Sequence, residues 1–436
     1  MANRNLSELI QRSLPEDRLK ILHLLAYQAA LLRMPLYLVG GVVRDVLLNH
    51  VVKDFDLVLE GNSTEFVEYI VRKFGGKTLI HSKFMTATWI VNESTFKRLN
   101  VPARQLPDAP LSFDLVSARY EIYSLPGALP TVKRSTINDD LRRRDFTINA
   151  MAIRLDGDHF GELFDPLDGQ KDLENKLIRA LHPKSFVDDP TRIFRAIRYA
   201  GRYGFKIEPG TLNLINEESQ AVLAQLSGER IRHEFDLMFE EEHATAILEH
   251  LQDLGVLNAI DPVLQSAVVH WLSVLTDKPE EGFSEFSIPD ILSFRQTLGW
   301  ILYLVNLSTA NLEAIAKRLA FPALLTKAVI GAATINRNMP AFKDWKPSQW
   351  TFYLDQLPLL AVYALYLIKM ELGFQDYFTI WRDVKPFTSG YTLQQRGLEP
   401  GPRYAEILRR LRAAWLDGEV QTEEEEKALL DSLLTV

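Results

Sequence analysis

Two short motifs near the start of the chain contain residue types that could together perform chemistry on phosphate groups. The segment LVGGVVRD, residues 38–45, places Gly40 and Gly41 between a strand-like run and a helix-like run. Glycines at such a turn let backbone N–H groups approach an anion at the positive end of a helix. Arg44 adds a cation that suits a phosphate. The motif therefore predicts a phosphate-binding turn.

The second motif, DFD, places Asp54 and Asp56 on a strand-like run shortly after the glycine turn. Alternate residues of a strand face the same side, so the two carboxylates should project together. Paired carboxylates repel each other unless cations lie between them, and hard divalent ions prefer oxygen ligands. We therefore expect Asp54 and Asp56 to be catalytic and to bind two Mg²⁺, with Asp114 as a candidate third ligand. Each motif alone also occurs at ordinary turns and strand ends, so the combination is the specific signal.

Four further motifs follow in order along the chain. They are LRRRDFTINA at 141–150, FDPLDGQKDLENKLIR at 164–179, DDPTR at 188–192 and GERIRHE at 228–234. Together with the first two motifs, they resemble the class II tRNA nucleotidyltransferases, the family of CCA-adding enzymes and bacterial poly(A) polymerases. The resemblance covers residues 38–234 and, more weakly, residues 389–419.

The resemblance implies an activity and its substrates. An RNA 3′-hydroxyl would attack the α-phosphate of CTP or ATP and release pyrophosphate, adding C, A or both to the 3′ end of tRNA. The resemblance also implies that Arg144 and Asp145 hold the sugar and phosphate of the nucleotide, with Arg143 as a less specific partner. The residues that we expect to bind the nucleotide are Gly40, Gly41, Arg44, Arg144, Asp145, Asp189, Arg192, Arg195 and Arg198.

Asp189 and Arg192 are one helical turn apart, so both side chains can face one ligand. A carboxylate accepts a hydrogen bond from the exocyclic amine of cytosine or adenine, and a guanidinium donates to the adjacent ring nitrogen. Uracil and guanine place a carbonyl where the carboxylate needs a donor, which costs about 1–3 kcal/mol per buried group. The resemblance implies that this pair selects CTP and ATP without a nucleic-acid template. Alone, Asp189 could be a helix cap, and the basic stripe that contains Arg195 and Arg198 could be a solvated face.

The elements that must position these residues change in type along the chain. Strand-like and helix-like runs alternate up to about residue 170, and helical patterns dominate beyond it. We therefore expect an α+β fold, in which a nucleotidyltransferase head with a small mixed β-sheet precedes all-helical segments. A polar loop is expected at 92–111. The expected divisions are an N-terminal helical segment at 1–34, the head at 35–154, a neck at 155–262, a body at 263–385 and a tRNA-contacting tail at 386–436.

Composition bounds the remaining possibilities. The chain has 436 residues, of which 47% are hydrophobic and 24% are charged, so a disordered or fibrous protein is excluded. There is no cysteine, which excludes disulfides, zinc fingers and thiol catalysis. No secretion signal precedes the first helix, and the longest apolar run is shorter than the ~20 residues of a membrane span. We expect a soluble cytoplasmic protein with no membrane contact and no obligate protein partner.

The net charge of −8 argues against unselective coating of nucleic acid, although a local basic track remains compatible with it. The C-terminal helix offers one, because Arg403, Arg409, Arg410 and Arg412 accompany a single acid, Glu406. The weak resemblance of this segment favours contact with the RNA backbone over an ordinary solvated face.

The motifs leave several activities open. The same Asp–Arg pair would serve a CCA-adding, a CC-adding, an A-adding or a poly(A)-adding enzyme, and the last is disfavoured by the acidic end of the chain from Asp417. Asp188 stands where the family most often has glutamate, which leaves the nucleotide range open. An inactive RNA-binding protein on the same fold is disfavoured by the intact Asp54 and Asp56. A transferase for small molecules or proteins is disfavoured by the DDPTR motif.

Overall fold

The structure is a computed structural model that describes residues 5–50, 52, 55–81, 84–99, 111–280, 286, 288–369 and 372–435. The chain divides into two compact units, residues 1–226 and residues 227–436. The first unit contains the sheet and all six motifs except GERIRHE, which opens the second unit. The finer division into head, neck, body and tail stays a prediction.

The strands of the first unit form one seven-stranded mixed sheet and two small pairs. The sheet has the order β3-β4-β5-β2-β1-β8-β9, with β2–β5 as its parallel pairing and the other neighbours antiparallel. The strands β6–β7 form an antiparallel hairpin, and β10–β11 form a short parallel pair. Their bounds are β1 Leu36–Val39, β2 Asp56–Leu59, β3 Lys77–His81, β4 Thr86–Val91, β5 Leu111–Ser117, β6 Arg119–Ile122, β7 Thr131–Arg134, β8 Ala152–Arg154, β9 Glu162–Phe164, β10 Leu177–Ile178 and β11 Lys206–Ile207.

Eleven α-helices accompany these strands in the part of the first unit that the structure describes. Several begin with a side-chain cap, as at α4, where Asn62 accepts a hydrogen bond from the Thr64 backbone N–H. Their bounds are α1 Ser7–Ser13, α2 Glu16–Leu31, α3 Gly41–Leu47, α4 Ser63–Phe74, α5 Glu93–Arg98, α6 Ile137–Arg142, α7 Gly169–Glu174, α8 Ser185–Asp188, α9 Thr191–Tyr203, α10 Pro209–Leu212 and α11 Glu217–Ala224.

The central strand β1 is buried along its whole length, which fits its place between β2 and β8. Its side chains Tyr37 and Val39 lie in an apolar cluster with Val58 of β2 and Ala152 of β8. Strand β2 is buried except at Asp56, its first residue. The strand end that emerges from the core therefore places a carboxylate at the surface.

Helix α9 begins within the DDPTR motif and packs into the core of the first unit. It begins after Pro190, whose fixed φ suits the first turn of a helix, and ends at Gly204, which has φ +63°. Its apolar side, which includes Ile193, Phe194 and Ile197, is fully buried. The helix is thus held rigidly, as residues that select a base require.

The α+β expectation is confirmed, and so are the strands expected near residues 36, 77, 86 and 113. The expected loop at 92–111 is wrong in part, because residues 93–98 form α5, which is capped by the Asn92 side chain. Residues 100–110 lie outside the described residues. The β6–β7 hairpin was not expected, and neither were the short strands β8 and β9.

The second unit is helical throughout the part that the structure describes. Thr422 and Glu425 have the spacing that predicts a capping box, and this box is present at the start of α24. No described helix is both long and apolar enough to cross a bilayer. The helices are α12 Gly228–Phe239, α13 Ala244–Asp253, α14 Val256–Ile260, α15 Pro262–Gln265, α16 Phe294–Leu304, α17 Thr309–Arg318, α18 Ala323–Asn338, α19 Pro347–Leu354, α20 Leu359–Lys369, α21 Leu372–Thr379, α22 Gly390–Gln395, α23 Pro402–Leu416 and α24 Glu423–Leu434.

Candidate active site

The glycine turn joins β1 directly to α3 and lies against one guanidinium. Gly40 has φ +71° and ψ −129°, a conformation that is essentially restricted to glycine. A Cβ on Gly40 would lie 2.4 Å from Nη1 of Arg144, which is far too close for any side chain. The turn and the second motif therefore touch through Arg144, whose guanidinium would have to move if position 40 carried a Cβ.

Replacing Gly40 by alanine is expected to displace Arg144 and to raise the KM for the nucleotide about tenfold, the scale of one charge-assisted contact. Gly157→Ala is the matched control, because Gly157 also has a positive φ, +57°, but a Cβ there meets nothing within 4 Å. Both variants should lose stability, which a thermal melt measures. If steady-state kinetics gave the two variants the same nucleotide KM, the contact between Gly40 and Arg144 would have no part in binding.

The carboxylates of Asp56 and Asp114 stand side by side on one face of the sheet. Parallel pairing puts the two residues in register on β2 and β5, and both side chains are exposed. Thr88 on β4 donates a hydrogen bond of 2.5 Å from its hydroxyl to Oδ1 of Asp114. Asp54 lies outside the described residues. Two in-register carboxylates are a hard-oxygen donor set, so the residues present fit a divalent cation.

Among the described residues, no group of three or more potential ligands is close enough to hold a metal ion. The third carboxylate of the expected set, Asp54, is outside the residues on which this statement rests. The expectation that Asp114 joins the DFD motif thus gains a geometric basis from the β2–β5 register. Metal binding by the three residues stays a prediction.

Two arginines of the second motif share one buried carboxylate. Asp140 on α6 is fully buried and accepts hydrogen bonds from Nε and Nη2 of Arg143, at 3.0 and 2.7 Å, on one oxygen. Its other oxygen accepts from Nη2 of Arg144 at 3.1 Å. Arg143 also donates from Nη1 to Glu121 of β6 at 2.9 Å. The structure thus brings together Arg144, which we expect to bind the nucleotide, and its partner Arg143. The residue that joins them, Asp140, was not singled out by the sequence.

Asp145 lies against the helix of the DDPTR motif, where we had expected it to face the nucleotide. Its side chain is buried, and Oδ2 accepts from Nε and Nη2 of Arg195 at 2.8 and 2.6 Å. Its Oδ1 accepts from the Phe146 backbone N–H at 2.8 Å and from the Asn149 amide at 3.0 Å. Both oxygens are therefore occupied within the protein. Direct contact of Asp145 with the sugar stays a prediction, whereas its observed contact fixes α9 to the second motif.

Arg44, the cation that we expect to bind a phosphate, is buried. Its guanidinium pairs with Asp45, with Nε 2.9 Å from Oδ1, and donates from Nη1 to Asn149 at 2.6 Å. Its Cζ lies 4.7 Å from the ring centroid of Tyr203 and 5.4 Å from that of Tyr199. Arg44 thus joins α3 to α9 in this state, and direct contact with a triphosphate stays a prediction.

Asp189 and Arg192, the pair that we expect to select the base, lie at the start of α9. Asp189 accepts from the Thr191 backbone N–H at 3.2 Å and from its hydroxyl at 2.7 Å, so it also caps the helix. Arg192 is buried and donates from Nη1 to the Ser185 hydroxyl and from Nη2 to the Arg143 carbonyl, both at 2.8 Å. Each terminal nitrogen carries a second hydrogen for a ligand. Arg198 is also buried on this helix, with its Cζ 5.9 Å from the Tyr199 ring.

The four arginines of the tail helix do not form one open stripe. Arg412 donates from Nη1 to Asp355 at 2.6 Å and from Nε to the Val384 carbonyl at 2.9 Å, which makes it a brace within the second unit. The RNA contacts expected of these residues stay a prediction. The other three contacts, in chain order, are Arg403 with the Leu433 carbonyl at 3.2 Å, Arg409 with the Phe352 ring at 4.6 Å and Arg410 with Glu419 at 2.7 Å.

Acid should destabilise the first unit through its buried carboxylates. Burial alone would raise the pKa of Asp145, but Arg195 and Asn149 more than offset burial and hold the pKa below its usual value. The pKa of Asp140 is also lowered, because Arg144 and Arg143 outweigh the effect of burial. A carboxyl with a lowered folded pKa contributes stability above the unfolded pKa of about 4 and loses it as the pH falls further.

The expected result is a free energy of unfolding that falls steeply below about pH 4, measured by urea titration at several pH values. Asp145→Asn should flatten that dependence, whereas Asp158→Asn, at an exposed turn, should keep it. If the free energy of unfolding of Asp145→Asn depended on pH as in wild type, Asp145 would not be a source of the acid destabilisation.

Several site residues were missed by sequence reasoning. Asn149 links Arg44 to Asp145, and it lies in the RRDFTINA motif that the sequence analysis quoted without assigning it. Tyr199 and Tyr203 are one helical turn apart, and this spacing predicts a shared face. Nothing in the sequence indicates that Arg44 lies on that face, because the contact joins residues that are distant in the chain.

A glycine turn that contacts a guanidinium, in-register carboxylates on one face of a mixed sheet and a helix that begins at the DDPTR motif are the features expected of a nucleotidyltransferase. Residues 36–179 match the family described as poly A polymerase head domain, and residues 204–268 match that described as the probable RNA and SrmB-binding site of polymerase A. An A-adding tRNA nucleotidyltransferase of Halalkalibacterium halodurans is 34% identical, over 97% of this chain and 94% of its own length. The chain therefore belongs to the class II tRNA nucleotidyltransferase family, which adds nucleotides to the 3′ end of tRNA.

Solved structures agree over the whole length of the chain. A CCA-adding enzyme in its apo form II matches with a TM-score of 0.80 and 28% identity, over 99% of this chain and 100% of that chain. The CCA-adding enzyme of Thermotoga maritima, complexed with tRNA-CCA, matches with a TM-score of 0.74 and 26% identity, over 100% of this chain and 99% of that chain. The fold expectation and the family resemblance are both confirmed.

Proposed function

We propose that this protein is an A-adding enzyme, which joins a single adenosine from ATP to a tRNA that ends in C-C. The observation that carries the proposal is the 34% identity, over nearly the full length of both chains, with an A-adding enzyme. The site is compatible with this activity, because Asp189 and Arg192 offer an acceptor and a donor that match the Watson–Crick edge of adenine.

Complete CCA addition is the second candidate. The full-length structural match to CCA-adding enzymes, with a TM-score of 0.80, favours it. The same acceptor and donor also match cytosine, so the Asp189–Arg192 pair serves both candidates. CC addition alone has weaker support, because the CC-adding relative matches only 38% of this chain.

In the proposed reaction, the protein binds and orients both substrates. The turn at Gly40 and Gly41, with Arg144 against it, faces the triphosphate. Asp189 accepts a hydrogen bond from the exocyclic amine of the base, and Arg192 donates to the adjacent ring nitrogen. The oxygen of the RNA 3′-hydroxyl then forms a bond to the α-phosphorus, its proton passes to water, and the bond between the α-phosphate and the departing pyrophosphate breaks. Holding the two reacting atoms close removes much of the entropic barrier.

Asp54, Asp56 and Asp114 would hold the divalent cations, which we propose to be two Mg²⁺. Bound Mg²⁺ would lower the pKa of the attacking hydroxyl and stabilise negative charge on the phosphate. The tail arginines Arg403, Arg409 and Arg410 would bind the phosphate backbone of the RNA, with a salt-dependent affinity. The action on tRNA places the protein in the cytoplasm in this proposal.

The test is nucleotide addition with Mg²⁺ to three tRNA transcripts that end before the CCA, after C or after C-C, resolved on a denaturing gel. ATP, CTP and both together are supplied to each transcript. An A-adding enzyme extends only the C-C transcript, by one residue, with ATP. Extension of the shortest transcript by three residues would establish CCA addition instead, and extension by two would establish CC addition. A long ladder with ATP would mean poly(A) synthesis, and no extension would contradict the proposal.

A further inference from the structure

We propose that Asp140 is a positioning residue that holds Arg143 and Arg144 in place for the incoming nucleotide. Asp140 is the last acid before the arginines of the second motif, and its side chain has no exposed surface. Both of its oxygens accept hydrogen bonds from guanidinium groups, within 3.1 Å. A single buried carboxylate thus fixes two neighbouring cations.

Arg144 connects Asp140 to the Gly40 turn. Its Nη2 is attached to Asp140 at 3.1 Å, and its Nη1 lies against the Gly40 turn, 2.4 Å from where a Cβ would stand. Its Nε is buried and has no hydrogen-bond partner among the described residues. The guanidinium therefore spans the distance between the buried acid and the turn. The orientation of Arg144 at the turn depends on Asp140.

Arg143 connects Asp140 to Arg192. It donates from Nε and Nη2 to one oxygen of Asp140, which fixes the plane of its guanidinium. Its backbone carbonyl accepts from Nη2 of Arg192, the arginine of the base-selecting pair. Asp140 therefore restrains the Arg143 side chain, which would contact the nucleotide. It also restrains the Arg143 peptide group, whose carbonyl accepts the hydrogen bond from Arg192.

Electrostatics explains why a carboxylate is needed at this place. The two guanidinium groups lie side by side with less than a fifth of either side chain exposed, so water screens their mutual repulsion poorly. An amide at position 140 keeps the size and one acceptor but removes the negative charge. The two arginines would then separate, and Arg144 would leave the turn.

Asp139 supplies a matched control on the same helix. It is the preceding residue of α6 and is only half-buried. Its carboxylate accepts from the hydroxyls of Ser135 and Thr136 and contacts no arginine that the structure records. Asp139→Asn changes the formal charge of the protein by the same amount as Asp140→Asn, at the adjacent position. A difference between the two variants therefore reports the arginine contacts.

The experiment compares wild type, Asp140→Asn and Asp139→Asn in two assays. Isothermal titration gives the Kd for ATP, and single-adenosine addition to a tRNA ending in C-C gives kcat and both KM values. For Asp140→Asn we expect the Kd and KM for ATP to rise about tenfold or more, with kcat and the KM for tRNA within about threefold of wild type. Asp139→Asn should match wild type. Equal ATP affinities in the two variants would overturn the inference.

Arg144→Met keeps the inference testable if Asp140→Asn folds poorly, and a double variant tests the link between the two residues if Asp140→Asn folds well. Arg144→Met should raise the Kd for ATP by a similar factor, and an unchanged Kd would overturn the proposed route through Arg144. In the double variant Asp140→Asn/Arg144→Met, the two effects on ATP binding should fall short of additive, because each substitution removes the same contact between Asp140 and Arg144. Full additivity would show that Asp140 acts independently of Arg144.

The inference rests on the proposed function, and the two can fail separately. A wild-type protein that binds ATP but extends no RNA would contradict the proposed function, while the binding comparison would still decide the role of Asp140. A wild-type protein that adds adenosine, with Asp140→Asn equal to Asp139→Asn, would contradict the inference alone.

Discussion

Replacing Asp56 by alanine is expected to lower the rate of nucleotide addition by about 10³-fold or more, on the scale of losing a group that stabilises transition-state charge. Asp56 begins β2 at the surface, in register with Asp114, so its loss leaves the proposed cation site with one described carboxylate. The affinity for tRNA should stay close to wild type, because the expected RNA contacts lie in the tail.

Asp158→Ala is the control for Asp56→Ala, because Asp158 lies at an exposed turn between β8 and β9 and not on β2 or β5. Single-turnover addition to a tRNA ending in C-C measures the rate, and filter binding measures the RNA affinity. The thermal midpoint of Asp56→Ala should be near that of wild type, since removing an exposed carboxylate beside another relieves repulsion. Full activity in Asp56→Ala would refute the catalytic assignment.

Replacing Asp189 by alanine is expected to reduce the preference for ATP over GTP by about 10- to 100-fold in kcat/KM, which corresponds to one buried acceptor. The preference should change because guanine presents a carbonyl where adenine presents an amine. Asp189 also caps α9 through Thr191, so the variant should lose about 1 kcal/mol of stability as well.

The neighbouring Asp188→Ala separates the two effects of the Asp189 substitution. Asp188 lies in α8, and its carboxylate is 4.0 Å from Nε2 of His182 rather than at the cap of α9. We expect Asp188→Ala to keep the wild-type preference among the four nucleotides, measured by competition on the C-C transcript. If Asp189→Ala also kept it, the side chain would be a helix cap and nothing more.

The fold was largely predictable because its elements carry local signals. The buried run before Gly40, the apolar stripe of α9 and the capping box at Thr422 each depend on a few neighbouring residues. The short strands β8 and β9 gave no such signal, since three residues cannot display a clear alternation. The pairing of β8 with β1, and of β9 with β8, is a tertiary effect that overrides local propensity.

The site was predictable in its residue types but not in its connections. The sequence indicated that Arg195 and Asp145 belong to one site, yet it assigned both to the nucleotide, and the structure pairs them with each other. Arg44 was expected to bind a phosphate, and in the structure its guanidinium lies against the rings of Tyr199 and Tyr203. These contacts join positions far apart in the chain, and periodicity carries no information about such pairs.

The carboxylates of Asp56 and Asp114 become neighbours only when β2 pairs with β5, so the candidate site depends on a late step of folding. The elements α4, β3, β4 and α5 lie between the two strands in sequence, so their ladder must wait for a long loop to close. A slip of one residue would turn Asp114 to the other face of the sheet. During refolding, nucleotide-adding activity should therefore return later than the helical circular-dichroism signal, because the carboxylates become neighbours only when this register is set.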